Sequence, residues 1–147
     1  MEDMKRESGM IESNISEKNT FNQLLDDIKR TKRITDIQTK RLDEAFGKRF
    51  GNAYKTIDAG RVRKYLFHPS ERVVWIVAGR EGEYQILPSV NFCSCDDFYF
   101  RVMDKEIHLC YHLIAQKMAE ALKWYDLFEE DDELYNFLME EWKRVTV

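Results

Sequence analysis

All three cysteines of this 147-residue chain lie within 18 positions of one another and form a regular pattern with a histidine. One residue separates Cys93 from Cys95, and after fourteen intervening residues one residue separates Cys110 from His112. Thiolate sulfur and imidazole nitrogen are the donors that structural zinc prefers, four of them in a tetrahedron. Three cysteines cannot all pair as disulfides within the chain, and no apolar signal-peptide core occurs near the N-terminus. The pattern therefore predicts one zinc ion held by Cys93, Cys95, Cys110 and His112.

The other histidines and the nearby carboxylates are assigned lesser roles. His108 is a substitute ligand candidate but is expected to be a loop residue, and His68, beside Pro69, is expected in an exposed turn. Three thiolates and an imidazole leave no open position for water, so the predicted zinc is structural and the protein is not expected to be an enzyme. A zinc hydrolase or nuclease is the least favoured alternative. The carboxylates expected to be loop residues rather than a catalytic pair are Asp96, Asp97 and Asp104.

The spacing of apolar residues predicts an α+β fold in a single domain. Three short apolar runs between about residues 61 and 87, separated by turns, predict a three-stranded antiparallel meander. A helix is expected from about residue 110, continuing to 128, and the zinc would join it to the meander. The expected segments are a flexible arm (1–18), a helical segment ending near Gly51 (19–52), a zinc-binding core with its ligand pair at 93–95 (53–128), and an acidic turn with an amphipathic helix (129–147).

Charge is distributed unevenly along the chain. The net charge is −4, but residues 29–64 carry 12 Lys and Arg against 4 Asp and Glu. The low pI of about 5.5 argues against a nucleic-acid binder that uses its whole surface. The basic segment could still follow a phosphate backbone, and Arg61, Arg63 and Lys64 are its candidate DNA contacts; a solvated helix face is the alternative. No apolar stretch approaches the roughly 18 residues of a membrane span, so a protein without a membrane partner is expected.

The residues around the predicted ligands resemble the SWIM zinc finger. The stretches 92–98 and 109–115 are similar to the small single-domain SWIM proteins that form a subunit of the Shu recombination-mediator complex, and to their archaeal relatives. The likeness covers about residues 55–125 and includes Ala115, three residues after the histidine. Two positions depart from the family pattern. Tyr111 stands where many members carry Lys or Arg, which weakens the case for a DNA contact there, and Asp96 stands where many carry Pro.

This resemblance implies a non-enzymatic role in homologous recombination and DNA repair. Such a protein would bind a RecA-family recombinase or recombinase paralog, an ATPase, and assist recombinase loading on single-stranded DNA. A hetero-oligomer is expected, with a homodimer as the alternative, in the cytoplasm or in the nucleus of a eukaryote. An autonomous nucleic-acid-binding zinc finger with a regulatory role is the competing hypothesis. Ala115 is expected to allow close helix packing. The aromatic residues that either anchor a partner or fill the core are Trp124, Tyr125, Phe128 and Trp142.

Overall fold

A computed structural model describes residues 19–80, 82–95 and 109–145 of the chain. Several sequence-based expectations lie outside these residues and stay predictions. They concern the arm at 1–18 and the side chains of Asp96, Asp97, Asp104 and His108.

Among the described residues, three helices precede the sheet. Residues 19–31 form α1, Asp36–Phe46 form α2, and Lys48–Asp58 form α3. A capping box starts α2, because the Thr35 side chain accepts from the Gln38 backbone while the Gln38 side chain accepts from the Thr35 backbone. The break between α2 and α3 falls at Gly47, which has a φ of 58°. The expectation that this helical segment ends near Gly51 is therefore wrong, since Gly51 lies inside α3 and, of the two, only Gly47 adopts a backbone conformation that favours glycine.

The sheet contains the predicted meander and is wider than predicted. Val62–His68 (β1), Arg72–Ala78 (β2) and Glu83–Leu87 (β3) pair antiparallel in sequence order. Phe92–Cys93 (β4) adds a short strand next to β3, and Asp126–Asp131 (β5) pairs parallel with β1. The strand order is β4-β3-β2-β1-β5. The α+β class is confirmed, with five strands in place of three.

The fifth strand occupies sequence that was expected to be helix and acidic turn. Helix α4 spans Tyr111–Leu122 and ends at Lys123, which has a left-handed conformation. The acidic residues that follow pair with a basic strand, and Arg63 is in register with Asp126. Beyond the strand, the backbone N–H and the hydroxyl of Ser70 both donate to the Asp132 carboxylate. These contacts between distant parts of the chain favour a strand that local sequence alone disfavours.

In the part of the chain that the structure describes, two hydrophobic cores cover the two faces of the sheet. The larger core packs α1 to α4 against the face that carries Val62, Trp75 and Ile86. The smaller core packs α5, which spans Tyr135–Val145, against the opposite face through Trp142 and Phe67. None of the described helices is both long enough and apolar enough to cross a bilayer. The metal-binding residues belong to the larger core, where α4 crosses the sheet.

Candidate metal centre

The four predicted ligands come together in one buried cluster. The Sγ atoms of Cys93, Cys95 and Cys110 and a ring nitrogen of His112 all lie within 4.8 Å of one another. All three cysteines are free thiols, and all four residues are buried. Residues spread over the stretch 93–112 thus form a single site between the end of the sheet and the start of a helix.

The first ligand pair is placed by the last strand of the sheet. Cys93 ends β4 and is the pairing partner of Ile86 on β3. Ser94 continues this pairing, because its backbone N–H donates to the Gln85 carbonyl at 3.1 Å and its hydroxyl accepts from the Gln85 backbone N–H at 3.0 Å. The chain then turns at Cys95. The small serine between the two cysteines therefore fixes the bend that brings both sulfur atoms to one point.

The second pair begins helix α4. Cys110 is the N-cap residue and His112 the second residue of the helix. Unpaired backbone N–H groups and the positive end of the helix dipole lie there, so negative thiolate charge is favoured. The guanidinium of Arg49 on α3 donates to the Leu109 carbonyl at 2.8 Å, immediately before Cys110. Arg49 was assigned from sequence only to the basic segment, because no local motif links position 49 to position 109.

The buried polar atoms of this cluster fit a bound cation. Neither ring nitrogen of His112 has a hydrogen-bond partner among the described residues, although an unsatisfied buried nitrogen costs about 1–3 kcal/mol. Burial, followed by contact with the other two thiols, raises the pKa of Cys93 far above its ordinary range. A hydrogen bond with Cys93 lowers the pKa of Cys110, but contact with Cys95 and burial raise it more, to about 12. A zinc ion replaces these thiol protons and takes one imidazole nitrogen, so the residues fit one structural zinc.

A glycine makes room for the histidine ligand. A Cβ atom at Gly79 would lie 2.7 Å from His112 Nε2 and 2.7 Å from Tyr84 Cε2. The rings of Tyr84 and Tyr111 pack on the imidazole with centroid distances of 4.4 and 3.9 Å. Gly79 thus allows the loop after β2 to approach the ligand closely. Nothing in the local sequence pattern around Gly79 points to the imidazole.

The donor set determines what the centre can do. Three thiolates and one imidazole complete a tetrahedron, and their charge leaves the zinc complex with a net charge of about −1. When bound, zinc supplies a cross-link between the end of the sheet and the start of α4. The cysteines and the histidine hold this cross-link, and the surrounding core excludes water from it. The arrangement is that of a structural clamp.

The three candidate DNA contacts have different surroundings. Arg61 is exposed before β1. Burial lowers the pKa of Arg63, but an ion pair with Glu83 at 2.9 Å raises it more. The ammonium of Lys64 lies 5.4 Å from the centroid of the Trp75 ring. Arg63 and Lys64 are adjacent in β1 and point to opposite faces of the sheet, so the structure does not bring the three together as one patch.

The four candidate interface aromatics also separate into groups. Trp124 and Phe128 are exposed, at 51% and 39%. Tyr125 is half-buried, with its ring edge to face against Trp75. Trp142 is only 4% exposed and packs on Tyr65, so it is a core residue and its assignment to a partner surface is wrong. Trp142 lies on the apolar face of the amphipathic helix α5, and this face packs against the sheet.

Of the remaining residues with a sequence-based prediction, Ala115 lies in the core and His68 lies at the surface. Ala115 is fully buried within α4, in the core against the sheet. His68 is exposed as expected but is the last residue of β1, with Nε2 lying 3.2 Å from Glu129 Oε1 on β5. It is distant in sequence and element from the ligands and does not belong to their cluster.

Comparison with known proteins identifies relatives that span most of the chain. A Dictyostelium discoideum protein named zinc finger SWIM domain-containing protein 7 homolog is 33% identical over 130 residues, which is 83% of each chain. Zinc finger SWIM domain-containing protein 7 of Mus musculus is 34% identical over 77% of this chain and 76% of its own. The Homo sapiens protein of that name is 29% identical over 80% of this chain and 85% of its own. No family model and no solved structure matches. With its buried cluster of three cysteines and one histidine, the chain belongs to the family of SWIM zinc finger proteins.

Proposed function

We propose that this SWIM zinc protein is a non-enzymatic assembly subunit in homologous recombination and DNA repair. It binds a RecA-family recombinase paralog and assists recombinase loading on single-stranded DNA. The resemblance of residues 92–98 and 109–115 to the small SWIM proteins of the Shu complex supports this role. The complete donor set at the metal centre is the observation that carries the non-enzymatic part, since four protein ligands leave zinc no position for substrate or water.

An exposed apolar segment at the edge of the sheet supports binding to another protein. Trp124, Leu127 and Phe128 expose 51%, 53% and 39% of their surface within five positions. They lie in or next to β5, whose outer edge pairs with no other strand in the part of the chain that the structure describes. Leu127 and Phe128 are adjacent in β5 and therefore point to opposite faces, one on each side of this edge. An exposed strand edge flanked by large exposed apolar side chains is typical of a surface that a partner covers. The partner is therefore expected to cover this edge. The proposed assembly is a hetero-oligomer rather than a homodimer. Its expected location is the cytoplasm, or the nucleus of a eukaryote.

The test is affinity purification of the tagged full chain from its own cells, with identification of the proteins it retains. A RecA-family ATPase is expected with the wild type and is expected to be absent with the double substitution Trp124→Arg and Leu127→Glu. Ile37→Glu is the matched control, because Ile37 is 70% exposed on α2 and lies away from β5. Purification without any RecA-family ATPase would overturn the proposed role. An equal effect of Ile37→Glu would overturn the proposed surface.

An autonomous nucleic-acid-binding zinc finger is the second candidate. The basic segment at 29–64 favours it, although Arg63 and Lys64 are engaged with Glu83 and with aromatic rings. This alternative requires the isolated chain to bind DNA tightly and without a partner.

A further inference from the structure

A cavity of about 230 Å³ adjoins the metal centre and carries a strong positive charge. Three cations line it: Lys55 from α3, Arg61 just before β1, and Arg80 in the loop after β2. The lining also includes Tyr111, which stands between the ligands Cys110 and His112. The cavity is thus built from elements that the zinc ion and the sheet hold in fixed positions.

No carboxylate neutralises this group of cations among the residues that the structure describes. The cavity lining contains no Asp or Glu there, and none of the ion pairs between described residues involves Lys55, Arg61 or Arg80. By contrast, Arg63, two positions from Arg61, has Glu83 as its partner. Like charges around one concave site repel each other and attract anions. The cavity therefore has the electrostatic character of an anion-binding site.

The polar groups around the cations do not cancel this positive charge. The carbonyl end of α3 also faces this region, but the N–H groups of Ala59 and Arg61 cap it by donating to the carbonyls of Lys55 and Thr56. The Tyr111 hydroxyl lies close to the backbone of Gly79, next to Arg80 in the loop after β2. A cation near a helix C-terminus stabilises the helix, which can account for Lys55. Arg61 and Arg80 lie outside the helix and need another explanation. Further hydrogen-bonding side chains in the lining are Asn52 and Thr56.

We propose that Lys55, Arg61 and Arg80 bind a backbone phosphate of single-stranded DNA. The positive charge continues from the cavity along α3, because Lys48 is exposed two helical turns before Lys55, about 10 Å away along the axis. A polymer with repeated phosphates can contact both places, whereas a free phosphate fills only the cavity. The choice of single-stranded DNA as the polymer rests on the proposed function.

The test is binding of a fluorescent oligo-dT strand to the zinc-loaded full chain, measured by anisotropy at several salt concentrations. The triple substitution Lys55→Gln, Arg61→Gln, Arg80→Gln is expected to weaken binding at least about tenfold at low salt. It is also expected to reduce the slope of log K against log salt by about 0.7 for each phosphate that the variant no longer neutralises. All three side chains are exposed, so the variant is expected to keep its zinc and its fold.

A charge-matched variant separates this pocket from general basic attraction. Arg33→Gln, Lys40→Gln, Arg41→Gln removes the same charge from exposed positions on or next to α2 and is expected to change affinity less than about twofold. Equal weakening by both triple variants, or no binding by the wild type, would overturn the proposal. Inorganic phosphate and a mononucleotide serve as competitors. If either binds the chain as tightly as the oligonucleotide does, the pocket takes a free phosphate and the DNA assignment is wrong.

A measurement on the wild type does not depend on the variants. Oligo-dT is expected to shift the backbone amide NMR signals of Lys55, Gly79 and Arg80, and shifts confined to other regions would contradict the pocket. Both measurements use the chain without a recombinase paralog. Their failure therefore leaves the proposed assembly role intact, and failure of partner capture leaves the pocket intact.

Discussion

At the metal centre, the backbone of Gly79 packs directly against the ligand His112. The loop after β2 passes so near His112 that a methyl group at Gly79 would overlap both the imidazole and the Tyr84 ring. The glycine thus sets the position of the ligand as directly as the residues that pack on it. Its contribution follows from the lack of space and not from an unusual backbone conformation.

Gly79→Ala is therefore expected to displace His112 and weaken zinc binding at least about tenfold, with a loss of stability of about 1–3 kcal/mol. Competition with a chelator and thermal unfolding measure the two effects. Gly51→Ala is the matched control, because its Cβ meets nothing within 4 Å and it lies inside α3. That substitution is expected to stabilise the protein by about 0.5–1 kcal/mol. Unchanged zinc affinity in Gly79→Ala would show that the histidine position is not set by this contact.

Protons compete with the metal at the cysteines. The pKa of Cys93 is raised by burial, and the pKa of Cys110 is raised to about 12, so both thiols are protonated at neutral pH in the metal-free fold. In that fold their protons stabilise the chain below the ordinary thiol pKa of about 8.5, and this contribution is lost as the pH rises toward 12. Zinc reverses this dependence of stability on pH. The zinc-bound fold loses stability as the pH falls, because zinc binds the deprotonated sulfur atoms and protons compete with it.

We accordingly expect each zinc ion to release at least about two protons on binding at pH 7, with affinity falling at least about 100-fold for each unit of decrease in pH. Calorimetric titration of the metal-free chain in buffers of different ionisation enthalpy measures the proton number. A binding enthalpy that is the same in every buffer would contradict protonated thiols.

At the level of elements, α5 is attached to the sheet by a small core of its own. Trp142 is 4% exposed and contacts Tyr65 with ring centroids 4.8 Å apart, and Phe67 packs on Tyr135 at 5.2 Å. This core lies on the face opposite the zinc. The helix therefore stabilises β1 without contributing to the metal centre.

Trp142→Ala is expected to lower the free energy of unfolding by about 3–5 kcal/mol, because it removes the largest side chain of this core. Phe137→Ala, on the exposed side of the same helix at 60% exposure, is expected to change it by less than about 0.5 kcal/mol. Denaturant titration compares the two. Similar stability of both variants would mean that α5 does not depend on Trp142 for its attachment.

The elements also show what local sequence can and cannot predict. The meander was predictable, since β2 carries a dense β-branched and aromatic run, and so was the ligand set, since the spacing of the cysteines and His112 is a local pattern. Strand β5 was not predictable, because four of its six residues are Asp or Glu and none is β-branched, a composition that disfavours a strand until β1 supplies pairing partners. The extent of α3 was misjudged because Gly47 and Gly51 look alike in sequence and only the fold distinguishes their conformations.

For the whole molecule, the zinc cross-link joins the end of the sheet to the start of α4, which otherwise contact each other through packing and a few hydrogen bonds. Binding of structural zinc contributes about 10–16 kcal/mol in zinc-finger peptides, which is comparable to the total stability of a domain. Removing a ligand therefore acts on the folding of the entire chain. The effect is expected to reach both cores, although only one contains the metal.

Cys93→Ser and His112→Ala are each expected to abolish stoichiometric zinc binding and to lower the temperature of thermal unfolding markedly. His68→Ala is the control, since this exposed histidine pairs with Glu129 at the surface, a contact worth about 0–1 kcal/mol. Metal analysis with circular dichroism measures both properties. A ligand variant that lacks zinc but unfolds at the wild-type temperature would show that the metal is not a clamp.

The most direct test of the zinc clamp is X-ray absorption spectroscopy at the zinc edge of the purified full chain. The predicted coordination is three sulfur atoms at about 2.3 Å and one imidazole nitrogen at about 2.0–2.1 Å. One zinc ion per chain is expected, with no oxygen ligand. Fewer than three sulfur atoms, or a coordinated water, would contradict both the ligand set of Cys93, Cys95, Cys110 and His112 and the structural role assigned to the metal.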